Sequence, residues 1–429
     1  VAAVQARREG LLRGWFVVGG LVLIFSLSFA SAQGGGGIDQ GLAEQRSSPW
    51  VEDLDYFAAE LPRLHKNLFF TISPEDFAAQ VDSLRVAIPN LEEYEIVVEL
   101  MKIVAAIGDS HTNVNANLPG IFSRLPVLTG WFSDGLYVVK TGHEYRDLLG
   151  MRVKGIDGIP IEEVERTLAV VVNHENEAQL KGRGPQYLAI PQVLAALGVV
   201  ESPDTVRLNI DSLGEVATLP LPMDSSFEWI SVVDTFQCDA PLYLRHPDSY
   251  YWFDALRDSS IVYVKYNVCA EMQDQTFKAF TDELFGFVDA HPPEKFVVDV
   301  RSNSGGNSAI ARPLIEGVRL RRNLNREGCL FVVIGRQTFS SAILNALSFR
   351  TETSAIFVGE ATGGKPNHYG EVRFFTLPNS RVAVTYSTKY FRLSQEDTPS
   401  LYPDIEVGIS FSDLTACRDP VLEAILDYE

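Results

Sequence analysis

Apolar residues recur at helical spacing from residue 50 to residue 107, and three helices are expected there. VEDLDYFAAELPRLHKNLF is the first. SPEDFAAQVDSLRVAI is the second, with Ser73 as N-cap, Pro74 at the first helical position and acids in the first turn. LEEYEIVVELMKIVAAIG is the third; it is apolar enough to be largely buried, and Gly108 stops it. The pattern changes over residues 120–222. Short β-like runs (GLYVVK, MRVKGI, TVRLNI, VATLPL) alternate there with glycine turns, around one helical piece, PIEEVERTLAVVV. From about residue 255 strands and helices alternate: SSIVYVKYN, QTFKAFTDELFGFVDAH, KFVVDV, a helix near 308–322, CLFVVIG, a helix from about 340, and AIFVGE. That alternation predicts a layered α/β core.

The N-terminus follows a different logic. Arg7, Arg8 and Arg13 precede WFVVGGLVLIFSLSFASAQ, which ends on Ala30-Ser31-Ala32. A positive start, an apolar stretch and an A-x-A end describe a signal peptide cleaved before Gln33. An uncleaved anchor is the alternative, since residues 15–32 approach a bilayer-spanning length. Either reading puts the bulk of the protein outside the cytoplasm, in the periplasm, the cell envelope or the medium. The expected organisation is residues 1–32 as signal peptide or anchor and 33–49 as a glycine-rich linker. A helical segment at 50–119, a β-rich module at 120–225 and an αβ core at 226–429 follow.

Composition narrows the function. Hydrophobic residues make up 46% of the chain and charged ones 21%, as in a globular protein with a real core. The net charge of −20 argues against a nucleic-acid partner, because a phosphate-binding surface needs clustered Lys and Arg. Cys238, Cys269, Cys329 and Cys417 are far apart, with no C-x-x-C and no zinc spacing. Cys269 and Cys329 lie in or beside apolar runs and are expected as buried thiols. Export would permit a disulfide, whose pairing the sequence does not reveal.

Four segments carry candidate chemistry. VVDVRSNSGGNSA, 297–309, is a buried strand opening into a turn with Arg301, Asn303, Gly305 and Gly306. Paired glycines let backbone N–H groups approach a ligand, which suits an oxyanion hole. GRQTFSSAILNA, 335–346, runs from a strand end through Ser340 and Ser341 into a helix, the geometry that exposes a nucleophile. VGEATGGKPNHYGE, 358–371, brings Lys365 and His368 after a glycine turn. AAIGDSHTNV places Asp109, Ser110 and His111 at the end of an apolar helix. Read singly, each has a plain alternative as a capping group, a β-to-α turn or a solvated lysine.

Together they resemble the C-terminal processing, or tail-specific, serine proteases and their tricorn-protease relatives, from about residue 50 to the end. GDSHT is similar to the family's D-x-H-T segment, and DVRSNSGG to its D-L-R-x-N-x-G-G segment. TFSSA falls where the family has T-A-S-A, which makes Ser340, rather than Ser341, the nucleophile. VGEATGGK resembles V-G-x-x-T-x-G-K, with Lys365 at the family's distance from the serine. LLGMRVKGIDGIPIEEV resembles the end of a PDZ domain, and YPDIEV and RDPVLEAIL resemble the family's usual ending.

The resemblance implies an α/β protein with a ClpP/crotonase-like αβ core, an N-terminal helical segment and a β-rich, degenerate PDZ-like module. It implies an exported serine endopeptidase acting on proteins or peptides, with no cofactor and no metal. A serine hydroxyl needs a neighbouring base, and parts of two family solutions are present. In one, Lys365 is the base and needs burial to become neutral. In the other, His111 is the base, with Ser110 beside it and an acid drawn from QEDTPS, Glu396 or Asp397. His111 is preferred because imidazole needs no large shift, with a pH profile rising through about 6 to 7. His368 is a weaker third option. Gly305 or Gly306 and the Ser341 N–H would hold the oxyanion. Phe339 departs from the family's small residue, Ile343 stands where processing proteases often have Glu, and the PDZ-like part lacks a clear peptide-binding loop. A catalytically decayed peptide-binding protein and a non-peptidase acyl hydrolase are the alternatives.

Overall fold

The computed structural model describes residues 48–429. The expected signal peptide or anchor lies outside them. Among the described residues no helix is long and apolar enough to cross a membrane.

The three N-terminal helices form as Pro49–Leu64, Pro74–Ala87 and Glu93–Ala105. Ser73 caps the second, its Oγ accepting the Asp76 N–H at 3.0 Å. The third buries Ile96, Val97, Val98, Leu100, Met101, Ile103 and Val104, so most of its surface is core. Gly108, at φ 77°, turns the chain out of this helix and delivers Asp109, Ser110, His111 and Thr112 as buried residues.

The β-rich part is an antiparallel sheet, ordered Val127–Phe132, Gly135–Gly142, Arg152–Ile156, Val206–Ile210 and Gly214–Thr218. Two short strands, Ile159–Pro160 and Trp229–Ser231, pair at its flanks. Helix Ile161–Leu168 is shorter than PIEEVERTLAVVV suggests. Helix Glu177–Leu188 was not legible, because Gly182, Gly184 and Pro185 interrupt its sequence. Packing overrides that poor propensity, and Asn176 caps its start by accepting the Gln179 N–H at 2.7 Å.

The α/β region is a six-stranded sheet in the order Tyr251–Leu256, Ile261–Tyr266, Lys295–Asp299, Leu330–Ile334, Ile356–Gly359, Ile405–Glu406. The first pair is antiparallel and the rest are parallel. Every residue of Leu330–Ile334 is buried, as expected of a strand covered on both faces. Because Lys295–Asp299, Leu330–Ile334 and Ile356–Gly359 are parallel neighbours, their C-terminal ends lie side by side. The three glycine-rich junctions, far apart in sequence, therefore meet at one edge.

A further unexpected element lies in the C-terminal half. His368–Thr376 and Ala383–Phe391 form a two-stranded hairpin. It reaches to the N-terminal part, where Thr385 and Asn113 exchange backbone bonds and Lys66 N–H donates to the Ser387 carbonyl at 2.8 Å. Phe375, Leu377, Val382 and Val384 of this hairpin share one apolar cluster with the N-terminal helices and the β-rich sheet. The hairpin thereby fixes the GDSHT segment against the glycine-rich edge.

Cys238 and Cys417 form a disulfide with Cα atoms 6.3 Å apart, while Cys269 and Cys329 are free and buried. Beneath the 301–306 turn lies a buried ionic network. Arg301 makes a fork of bonds to Asp419, at 3.0 and 2.9 Å, and an ion pair with Asp299 at 2.8 Å. Lys265 pairs with Asp299 at 3.2 Å. Such pairs add little net stability after desolvation, but their geometry holds one arrangement of the turn.

Candidate active site

Strand Leu330–Ile334 ends in a tight turn in which Thr338 Oγ1 accepts from Gly335 N–H at 3.0 Å and donates to the Val300 carbonyl at 2.9 Å. Ser340 follows at φ 52° and ψ −124°, directly before helix Ser341–Glu352. A serine at positive φ stores strain, on the order of 1–3 kcal/mol, that the surrounding structure must hold. Here three loops hold it. A Cβ on Gly305 would sit 2.8 Å from Ser340 Cβ and 3.0 Å from Ser341 N. A Cβ on Gly364 would sit 2.7 Å from Ile343 Cγ1 and 3.3 Å from Phe339 Cα. Only glycine allows both approaches. Ile343 is fully buried and is core packing for this turn.

Two backbone donors are unspent beside Ser340. Gly305 N–H donates to its own loop, to Asn303 Oδ1 at 2.9 Å. Among the described residues, Gly306 N–H and Ser341 N–H make no hydrogen bond. Gly306 is at φ 131° with the Cys269 carbonyl against it, where a Cβ would come to 2.3 Å, and Asn307 N–H donates to that carbonyl at 2.7 Å. The Ser341 hydroxyl donates to the Gly306 carbonyl at 2.6 Å and so ties the two loops together.

His111 reaches this edge from the N-terminal part. Its ring stacks on Phe339, the residue before Ser340, with centroids 4.3 Å apart. Both ring nitrogens are buried with no side-chain hydrogen-bond partner, as is Ser110 Oγ. Burial pushes the imidazole down to about 3; the nearby Asp109 charge and the Tyr369 backbone oppose this, and His368 and Arg183 reinforce it. Asp109 Oδ1 is 3.9 Å from His111 Nδ1 and accepts the His111 backbone N–H at 3.0 Å. Its other oxygen is bound by His65 Nε2 at 2.9 Å and by the Thr112 hydroxyl at 2.5 Å. Burial alone would raise the Asp109 carboxyl; the His65 bond and its other partners outweigh that and hold it below the usual range.

The remaining candidates are spread around this centre. Lys365 Nζ pairs with Asp397 Oδ2 at 3.4 Å. Asp397 and Glu396 both lie on an exposed loop, and the Glu396 carbonyl accepts from Asn367 at 3.3 Å. His368 is buried, its Nδ1 bonded to the Lys365 carbonyl at 2.8 Å, and burial lowers its pKa. Among the described residues, no group of three or more His, Cys, Asp or Glu is placed to share a metal ion.

Three residues that sequence reasoning passed over also sit here. Arg183 Nη1 donates to the carbonyls of Ser110 and Asn173, at 2.9 and 3.0 Å, and its guanidinium lies 4.6 Å from the Phe339 ring centre. His65 anchors Asp109. Glu175 leaves Oε2 buried and unpartnered; burial and the Asp109 charge push it up to about 8, against the pull of Lys365 and Arg183. The polar run NHEN after an apolar stretch was the only available signal for Glu175.

No family model matches the chain, and no curated protein does. Among solved structures, mature CPAF in complex with lactacystin superposes with a TM-score of 0.61 at 13% identity, over 88% of this chain and 96% of that one. Mature CPAF alone gives 0.59 at 13% identity, over 88% and 95%. The tricorn protease, 14% identical, gives 0.47 over 88% of this chain and 36% of its own. The chain is therefore a mixed α/β protein of several sheets that shares the fold of mature CPAF.

Proposed function

We propose that this chain is a serine-type peptidase acting on protein or peptide substrates, with Ser340 as nucleophile and His111 as its base. The observation that carries this reading is the buried His111 ring, with no side-chain partner on either nitrogen, packed on the residue next to a strained serine. In the proposed sequence, Ser340 Oγ attacks the scissile carbonyl and His111 takes its proton. Gly306 N–H and Ser341 N–H receive the oxyanion, which they are free to bind. His111 then returns the proton to the leaving amine, and a water repeats the steps on the acyl-enzyme. Lys365 is the weaker base, since its ammonium is engaged by Asp397. Glu396 and Asp397 lie on the exposed loop and are not placed as an orienting acid in this reading.

The finer readings belong to the same proposal. The six-stranded region is read as a ClpP/crotonase-like core, residues 120–225 as a degenerate PDZ-like module, and the protein as exported. Turnover of unfolded protein and of peptide and ester substrates tests the activity. Peptide hydrolysis lost in Ser340→Ala supports it; ester hydrolysis without peptide hydrolysis would make the chain a different acyl hydrolase.

A further inference from the structure

A base that must take a proton from serine has to be held in one orientation. In most arrangements of this kind a carboxylate does this by bonding the far ring nitrogen. Here no carboxylate does. Asp109 stands 3.9 Å from Nδ1, and both its oxygens are committed to other donors. Glu396 and Asp397 are exposed on another loop. Instead, near-parallel rings follow one another from the nucleophile turn to the hairpin. Phe339 and His111 are 4.3 Å apart at 25°, His111 and His368 are 5.6 Å apart at 14°, and His368 and Phe391 are 5.4 Å apart at 27°. A cation lies over each end: Arg183 at 4.6 Å from Phe339 and Lys389 at 4.5 Å from Phe391.

We propose that this column of rings is the positioning device of the site, with Phe339 and His368 as positioning residues that hold the His111 plane beside Ser340. The proposal rests on the reading of His111 as the base. Stacking at these distances is favourable and directional, and the column ties the imidazole to the residue that precedes the nucleophile. It also gives a role to Phe339, which departs from the small residue of the proteases the sequence resembles. The groups facing His111 are Asp109 from its own segment, Arg183 from helix Glu177–Leu188, and His368 and the Tyr369 backbone from the hairpin. Asp109 and the Tyr369 backbone favour an imidazolium, His368 and Arg183 disfavour it, and burial decides the balance, because a ring packed between other rings has no water to solvate its charge. The column therefore supplies orientation and neutrality together, whereas a carboxylate clamp supplies orientation and favours the charged form.

The test compares Phe339→Leu, which keeps bulk but removes the ring, with Phe339→Tyr, which keeps the ring. Phe339→Leu should lower kcat roughly 100-fold, the scale of a misplaced catalytic group, with little change in KM. Phe339→Tyr should restore kcat. Unchanged kcat in Phe339→Leu, or failure of Phe339→Tyr to restore it, overturns the proposal. The mobility of the His111 ring is also read by 13C NMR relaxation in the Ser340→Ala background, with and without Phe339→Leu. A more mobile ring in the Phe339→Leu protein supports the column even if wild-type protein hydrolyses nothing, in which case it is the peptidase reading that fails; unchanged mobility counts against the column. Should Phe339→Leu not fold, Phe391→Leu at the far end is expected to loosen the same ring, and no change there counts against the column.

Discussion

Ser340 and Ser341 are adjacent hydroxyls with opposite circumstances. The Ser341 hydroxyl is spent on the Gly306 carbonyl, while Ser340 sits at the strained turn with unspent N–H groups beside it. Ser340→Ala is expected to abolish hydrolysis and covalent labelling, whereas Ser341→Ala keeps measurable turnover; activity assays of the two purified variants decide this. His111→Ala should lower kcat about 10⁴-fold, the cost of losing a triad member, and Lys365→Ala far less. From sequence the pH profile was expected to rise through about 6 to 7. Burial of His111 moves that limb well below the ordinary histidine range. Glu175 makes a separate prediction. Its folded pKa, about 8, is raised above its ordinary value. Its contribution to stability is therefore complete below about 4.5 and is lost as pH rises through about 8. Glu175→Gln should flatten Tm against pH across that window, as calorimetry will read. The strand-turn-serine-helix pattern made Ser340 legible in the sequence. Glu175 was not legible, because Asp109 and Lys365, which help set its chemistry, are distant in the chain, and Arg183 lies on a helix the sequence did not reveal.

At the scale of elements, parallel strand order turns three scattered glycine motifs into one edge. The motifs were readable as strand ends, since each follows a buried apolar run that ends in Gly or small polar residues. Their adjacency follows from the order of Lys295–Asp299, Leu330–Ile334 and Ile356–Gly359. Gly305→Ala puts a methyl 2.8 Å from Ser340 Cβ at a φ of 111°. It should displace the nucleophile and lower kcat by about 10²-fold or more, while the melting transition stays cooperative. Near-wild-type kcat in that variant would contradict the packing described. The hairpin His368–Phe391 escaped sequence reading although Glu371-Val372-Arg373-Phe374 alternates polar and apolar residues; all four are exposed, so that alternation marks no buried face. Helix Glu177–Leu188 escaped it because of internal Gly and Pro.

Over the whole molecule, the site is assembled from two regions that meet through the hairpin and the glycine-rich edge. GDSHT comes from the N-terminal part, and Ser340 with its backbone donors from the six-stranded sheet. The Cys238–Cys417 disulfide ties a segment preceding that sheet to the C-terminal region, two residues before Asp419, which grips Arg301. Closing so long a loop stabilises by about 2–4 kcal/mol, so reduction should lower the urea midpoint, and Cys238→Ser should reproduce the shift without reductant. Sequence reading identified two buried thiols, and the remaining pair meets only through the fold. The central claim, a serine nucleophile served by His111, is tested most directly by fluorophosphonate labelling followed by peptide mass mapping. The account predicts one adduct, on Ser340, formed at nearly wild-type rate in Lys365→Ala and slowed by orders of magnitude in His111→Ala. An adduct on Ser341, or labelling that survives His111→Ala and disappears in Lys365→Ala, would contradict it.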